Sequence, residues 1–191
     1  MTSLLTLFSP AARKQARRAD ALYRGLMAAA LAPDLFTGGL VADDMDHRVQ
    51  MVAVHAALLA WQLPLRPEPD LRRLPEGIHA RVFDGFDAAL RETGVGDASI
   101  ARKVRKLGEH YYGLGAAVAD TLSGAPEGWE PDLTEVFVRN GVTAAGRESE
   151  LAAHVAALAE AFEASPSDIY LAGDAPWQAF PATRRRGVAK G

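Results

Sequence analysis

The chain has 191 residues, of which 49% are hydrophobic and 24% charged, the balance of an ordinary folded domain rather than a disordered or membrane-spanning chain. Four basic residues and no acid lie beyond residue 174, so residues 1–174 carry a formal charge of −7 within a total of −3, which does not favour general nucleic-acid binding. The absence of cysteine excludes disulfides, thiolate nucleophiles and cysteine-ligated metal sites.

The first predicted helix begins at Ser9-Pro10, a capping residue followed by a proline at the first helical position, and ends near Leu31, before Pro33. Residues 1–19 contain basic residues but no acid, a composition that mitochondrial presequences share. We interpret them as the basic start of this helix, because its apolar spacing continues without a break into the body of the chain.

The second predicted long helix, roughly Asp44 to Trp61, is apolar on nearly every side after Met51, which predicts a place in the middle of a bundle. The apolar run 51–63 is 13 residues long, whereas a membrane-spanning helix needs about 20. His55 lies inside this helix, and we interpret it as a core residue with a satisfied hydrogen bond; the alternative is a ligand or proton carrier.

The segment Pro64–Pro75 contains four prolines and is predicted to cross the surface as an extended connection. A third long helix follows, from about Glu76 to Thr93, with apolar residues recurring at four-residue steps. Gly94 stands where a residue with positive φ would close this helix.

The longest predicted helix begins at Asp97, after the turn Gly94-Val95-Gly96, and its apolar stripe continues without a break to Leu122. Glycine inside a helix costs about 1 kcal/mol relative to alanine. Because Gly108 and Gly115 follow Ala101 at seven-residue steps beside the apolar stripe, we expect another backbone to approach closely there.

The first turns of this helix carry a cluster of cations, although the helix dipole disfavours positive charge at this end. One interpretation is a solvated face that is offset by Glu109, four residues after Arg105. The other is a docking patch for an acidic partner or an anionic lipid. We call this cluster the basic face; its members are Arg102, Lys103, Arg105 and Lys106.

The remainder of the chain is also predicted to be helical. Asp132 is suited to cap a short helix that Gly141 closes, and a long helix covers about 148–164 with His154 on the margin of its buried stripe. A short helical turn ends near Gly173.

Together these elements predict an all-α fold, a single-domain bundle of about six helices. Residues 20–173 form the predicted helical domain, residues 1–19 are the basic start of its first helix, and residues 174–191 are predicted to be a flexible basic tail.

Motifs that support catalysis are scarce. Glu76 and His79 form a lone Glu-x-x-His without the second pair that a dimetal carboxylate bundle requires. The acids before the second long helix are typical caps, although they and His47 are potential metal ligands. No P-loop or Gly-x-Ser-x-Gly elbow occurs. We therefore predict no enzyme activity, no metal site and no cofactor.

The stretch 91–97, RETGVGD, together with the residues after it, closely resembles the central motif of the ubiquinol-cytochrome c chaperone family. Those later residues are Ile100, 103–106 and 111–113. The family pattern has phenylalanine where Tyr111 stands. Shorter matching pieces fall in the expected order over about residues 20–172: Ala21–Tyr23, Pro33–Phe36, Asp46–Arg48 with His55, Phe137–Asn140 and Leu151–Val155.

The resemblance implies an assembly factor for the cytochrome bc1 complex that binds a newly made cytochrome b precursor without covalent chemistry. Mitochondrial members act with a small partner protein near the ribosome exit. We expect a bacterial-type member, cytoplasmic and peripheral to the inner membrane, or a mitochondrial one if residues 1–19 are a presequence.

Applied to this chain, the resemblance places docking of the partner on the basic face. Tyr111 and Tyr112 either pack in the fold or add an adjacent apolar contact. The residues Gly94, Gly96 and Asp97 would set the helix turn that presents the basic face.

Two other functions stay open from the residues alone. One is a general adaptor that binds proteins at an anionic membrane surface. The other is a helical protein that handles haem or metal through the chain's histidines, which are His47, His55, His79, His110 and His154.

Overall fold

The computed structural model describes residues 9–92 and 97–181, without the side chains of residues 97 and 98. Every regular element within these ranges is a helix. In chain order the helices are α1 (Pro10–Ala30), α2 (Pro33–Thr37), α3 (Met45–Gln62), α4 (Pro69–Arg72), α5 (Leu74–Glu92), α6 (Asp97–Leu122), α7 (Trp129–Asn140), α8 (Glu148–Ala164) and α9 (Ser167–Ala172). Six of these described helices have 12 residues or more. The predicted all-α, single-domain bundle of about six helices is confirmed.

Capping groups stand at the predicted helix ends. Ser9 Oγ accepts a hydrogen bond of 3.1 Å from the Ala12 N–H at the start of α1. Asp44 does the same for the His47 N–H, at 3.0 Å, where α3 begins. Gly141 ends α7 with a φ of 57°, a left-handed conformation that glycine adopts without steric cost.

Helix α3 runs through the middle of the bundle and packs against α1, α5, α6 and α8. All of its residues from Met51 to Leu59 are buried. Because this segment is apolar on every side, each of its faces requires a neighbouring helix. The central position predicted for this helix is confirmed, and α6 makes the most extensive contact with it.

The proline-rich segment is helical over most of its length, so the predicted extended connection is wrong. Pro64 lies in a 3-10 turn, Pro69 begins α4, and Pro75 is the second residue of α5. Proline fits the first turn of a helix, because the N–H groups there have no acceptor within the helix. Leu71 and Leu74 are fully buried, so these short helices fold back onto the core.

Helix α7 begins at Trp129, three residues before the predicted cap. Asp132 instead lies within the first turn, where its carboxylate interacts favourably with the helix dipole. The Trp129 indole is buried and meets the Trp61 ring edge-on, with centroids 5.5 Å apart. Helix α7 thus starts earlier than predicted, at a tryptophan that packs against α3.

The segment 174–181, which the sequence places in a flexible tail, packs against the bundle. The Trp177 ring lies 4.9 Å from the Phe162 ring and 5.7 Å from the His55 ring, measured between centroids. Phe180 is buried beside His154 at 5.1 Å. The segment has no regular period that would reveal this packing in the sequence. Residues 182–191, with the arginine run, lie outside the described residues, as do residues 1–8.

The glycines of α6 differ in what they face. A Cβ on Gly115 would lie 3.7 Å from the Ala53 carbonyl oxygen, so the α3 backbone does approach α6 there, as predicted. At Gly108 the neighbour is a side chain, because a Cβ would meet Phe83 Cε1 at 2.9 Å. Ala101 is exposed and makes no such approach.

Candidate partner-binding site

The basic face lies exposed on the first turns of α6. All four of its cationic residues are exposed, whereas Val104 between them turns partly towards the core. Arg105 Nε lies 3.9 Å from Glu109 Oε1, and their side chains are 75% and 68% exposed. Such a solvated ion pair is worth less than about 1 kcal/mol, so it leaves the cations available to a partner.

The turn that precedes the basic face is only partly described. Gly94 and Gly96 lie outside the described residues, and Asp97 is the first residue of α6, with its side chain not described. The role of these three residues in setting the turn stays a prediction.

Of the neighbouring tyrosines, Tyr111 is buried and Tyr112 is exposed. Tyr111 is 2% exposed, and its hydroxyl lies 2.6 Å from Nδ1 of His79 on α5. Burial raises the pKa of the Tyr111 phenol and lowers the pKa of the His79 imidazole, so both groups are neutral and share one hydrogen bond. This geometry makes Tyr111 a packing residue.

Tyr112 is 52% exposed and presents one face of its ring to solvent. Its other face stacks on Phe83, with ring centroids 5.3 Å apart and planes inclined by 24°. Phe83 also meets Phe86 and Tyr111 edge-on, so an aromatic cluster joins α5 to α6 directly under Tyr112. Tyr112 is therefore a rigid aromatic surface on the same helix as the basic face.

Beside Tyr112, an apolar groove of about 190 Å³ lies between α3 and α6. Small residues form most of its lining, and His79, Tyr111 and Tyr112 complete it. We call it the small-residue groove; its small members are Ala53, Ala56, Ala57 and Ala60 on α3 and Gly115, Ala116 and Ala119 on α6. Sequence reasoning missed this feature, because alanines at helical spacing are typical of ordinary packing and do not show where two helices leave a gap.

Arg105, one member of the basic face, shares one side of α6 with the groove. Arg105, Tyr112 and Ala116 are separated by seven and four residues, a spacing that places side chains on one stripe of a helix. Tyr112 therefore lies about 10 Å along the axis from Arg105, which is two helical turns. The site combines positive charge, an exposed aromatic ring and an apolar groove along one line.

The buried histidine of α3 is a core residue, as interpreted from the sequence. His55 is 1% exposed, and its Nδ1–H donates to the Met51 carbonyl oxygen at 2.8 Å. Burial, with a smaller contribution from nearby His154, lowers the pKa of His55 to about 4. The imidazole is consequently neutral at physiological pH.

The other histidines are dispersed over the fold. His154 is buried beside Phe180 rather than lying on a margin, and burial lowers its pKa. His47 bonds to the Asp44 carboxylate, and His110 is exposed. Within residues 9–92 and 97–181, no group of three or more His, Asp or Glu side chains is placed to hold a metal ion.

Among the described helices, none combines the length and the apolar character needed to cross a membrane.

The fold belongs to a class of all-helical domains that a solved structure already represents. The chain is similar to the crystal structure of the Cbp3 homolog from Brucella abortus, with a TM-score of 0.74 and 23% sequence identity over 93% of this chain and 98% of that chain.

The family comparison places the chain within this class. The family described as ubiquinol-cytochrome C chaperone matches residues 40–177, most of the chain and the whole of α3 to α9. The chain belongs to this family, and the resemblance based on the central motif is confirmed. A search of curated proteins found no match.

Proposed function

We propose that this protein is a non-catalytic assembly factor of the cytochrome bc1 complex, which binds newly made cytochrome b through the basic face. Membership of a chaperone family supports a protein client. The observation that carries the proposal is the exposure of all four cations on one helix, within the region that matches the family.

Charge on the rim of a binding surface acts mainly on encounter and orientation. Four exposed cations steer an acidic partner towards α6 and favour one register, while the adjoining apolar surface supplies contact area. Binding through the basic face is therefore salt-sensitive, since exposed charges are screened over about 10 Å at 0.1 M ionic strength.

The setting of this binding is part of the proposal. The client would be met at the inner-membrane surface, with the protein in the cytoplasm and peripheral to the bilayer. A small partner protein and the ribosome are further candidates for contact, by analogy with the mitochondrial members that the family resemblance implies. No enzymatic step is required for this function.

Charge reversal tests the proposal. Arg105→Glu with Lys106→Glu is expected to lower the level of assembled cytochrome b several-fold in cells that depend on this protein, while circular dichroism shows an intact helical fold. Arg13→Glu with Lys14→Glu is the matched control, since this adjacent Arg-Lys pair is also exposed but lies on α1. Normal cytochrome b accumulation in the first double variant would remove the basic face from the proposal.

The exposed basic face also supports a second candidate function, a general adaptor at an anionic membrane surface. Vesicles with and without phosphatidylserine distinguish the two functions. Two results together would favour the adaptor. The protein would bind anionic vesicles in a salt-sensitive way that Arg105→Glu with Lys106→Glu abolishes, and it would capture no cytochrome b.

A further inference from the structure

We propose that the small-residue groove receives one bulky apolar side chain from a helical segment of the protein client, and that the same segment carries an acid that meets Arg105. This inference rests on the proposed function, because it specifies the chemistry of the client segment. It adds a second contact to the basic face, and the two contacts are separable by mutation.

The dimensions of the groove determine what it accepts. Its volume of about 190 Å³ is below the roughly 300–1,000 Å³ of sites that enclose a drug-sized ligand or cofactor. That volume is suited to one large apolar side chain. Bulky anchors that fill such pockets account for most of the binding energy at many protein interfaces.

The lining requires an apolar occupant. Seven of the ten lining residues are alanine or glycine. The hydrogen bond between the Tyr111 hydroxyl and His79 Nδ1 engages two of the few polar side-chain atoms in the lining, and Tyr112, which carries another, is half exposed to water. Over the alanine and glycine part of the lining, a polar tip would lose its hydrogen bonds to water without replacement, whereas an apolar side chain gains by leaving water.

The position of Arg105 on the groove's side of α6 favours a protein segment that carries an acid over an uncharged lipid tail. Arg105 shares the stripe of Tyr112 and Ala116 and lies about 10 Å and 16 Å from them along α6. A helix that runs along α6 would therefore place its acid about seven to eleven residues from its anchor. The loose pair between Arg105 and Glu109 is exposed, so an incoming carboxylate competes with it at little cost.

A synthetic helical peptide tests the inference directly. The probe is a fluorescein-labelled, alanine-based peptide with one phenylalanine and with glutamates seven and eleven residues away. We measure its binding to the full chain by fluorescence anisotropy. Replacing the phenylalanine with alanine is expected to weaken binding about tenfold or more, because a buried phenylalanine contributes roughly 1.5–3 kcal/mol. Replacing both glutamates with glutamine is expected to weaken binding and to remove its salt dependence.

Blocking the groove provides the matching change on the protein. Ala116→Trp introduces a large ring at an exposed lining position and is expected to abolish the preference for phenylalanine over alanine in the peptide. Ala28→Trp, the same substitution at an exposed position of α1, is the control and should leave the preference intact. The peptide substitutions leave the protein untouched, so they decide the matter even if Ala116→Trp fails to fold.

Specific outcomes would overturn the inference. Equal binding of the phenylalanine and alanine peptides would do so. The inference would also fail if laurate bound saturably, if Ala116→Trp blocked that binding, and if the protein did not discriminate between the two peptides. The occupant would then be an acyl chain. Dimerisation that Ala116→Trp alone abolishes would identify a second copy of the chain as the occupant.

The cytochrome b assay separates this inference from the proposed function. If charge reversal at Arg105 and Lys106 impairs cytochrome b accumulation but Ala116→Trp does not, the proposed function stands and the groove inference fails. If the peptides are discriminated but cytochrome b accumulates normally in both variants, the groove binds a different client and the proposed function fails.

Discussion

The Tyr111 hydroxyl lies 2.6 Å from Nδ1 of His79, and this hydrogen bond joins α6 to α5 beneath the exposed ring of Tyr112. The bond lies in a largely apolar setting, between the aromatic cluster and the small-residue groove. The hydrogen bond therefore helps to hold α5 and α6 in place under the exposed Tyr112 ring.

Removing this hydrogen bond is expected to destabilise the fold modestly. Tyr111→Phe should lower the free energy of unfolding by about 0.5–1.5 kcal/mol, because the half-buried His79 loses its partner. Urea denaturation at pH 7 measures the change. Tyr112→Phe is the control, since no hydrogen bond of that hydroxyl is found among the described residues, and it should be nearly neutral. Equal effects of the two variants would contradict the assigned bond.

Acid should destabilise the protein through His55. Its folded-state pKa of about 4 lies below the 6.5 of an unfolded histidine, so the unfolded chain binds the additional proton between these values. Stability is full above pH 6.5 and declines by roughly 3 kcal/mol as the pH falls to 4. His79 and His154, whose pKa values burial also lowers, add to the same trend.

The contribution of His55 is isolated by replacement with a side chain that does not titrate. His55→Gln keeps an N–H donor for the Met51 carbonyl oxygen and should flatten the decline in stability between pH 6.5 and 4. Urea midpoints measured across this range compare the two proteins. An unchanged slope in His55→Gln would show that the acid sensitivity arises elsewhere.

Two glycines of α6 should respond oppositely to alanine. Gly108→Ala is expected to destabilise, because the new Cβ would meet Phe83 at 2.9 Å and the surrounding rings hold that side chain in place. Gly113→Ala has no neighbour within 4 Å and should stabilise by about 0.5–1 kcal/mol, because alanine is the better helix former. Thermal unfolding compares both with the parent chain. Stabilisation by both changes would mean that Phe83 moves freely.

The segment after α9 should contribute to stability. Trp177→Ala is expected to lower the free energy of unfolding by about 2 kcal/mol, since its ring packs against Phe162 and His55. Gln178→Ala, at the exposed neighbouring position, should change stability by less than about 0.5 kcal/mol. If both variants unfold like the parent chain, this segment does not pack in solution.

Local sequence patterns predicted the helices where the governing forces are themselves local. Ser9 is predicted as a cap because this short acceptor precedes a proline at the first helical position, and Gly141 as a helix end because left-handed backbone favours glycine. The helix Glu148–Ala164 was predicted with the boundaries that the structure shows, since its apolar period is complete. The predicted extended connection over Pro64–Pro75 is wrong because proline breaks a helix only in its interior, whereas the first turn of a helix accommodates it well.

The sequence by itself determined the helical class, the exposure of the basic face and the family, because these depend on periodicity, charge and an ordered set of short motifs. Only the tertiary structure decided that Tyr111 is buried while Tyr112 is exposed, and that Trp177 closes over His55. It also decided that the alanines of α3 and α6 leave a groove instead of closing it. The physical reason is that packing depends on how helices far apart in the sequence meet, and the spacing of residues within one helix does not determine that geometry.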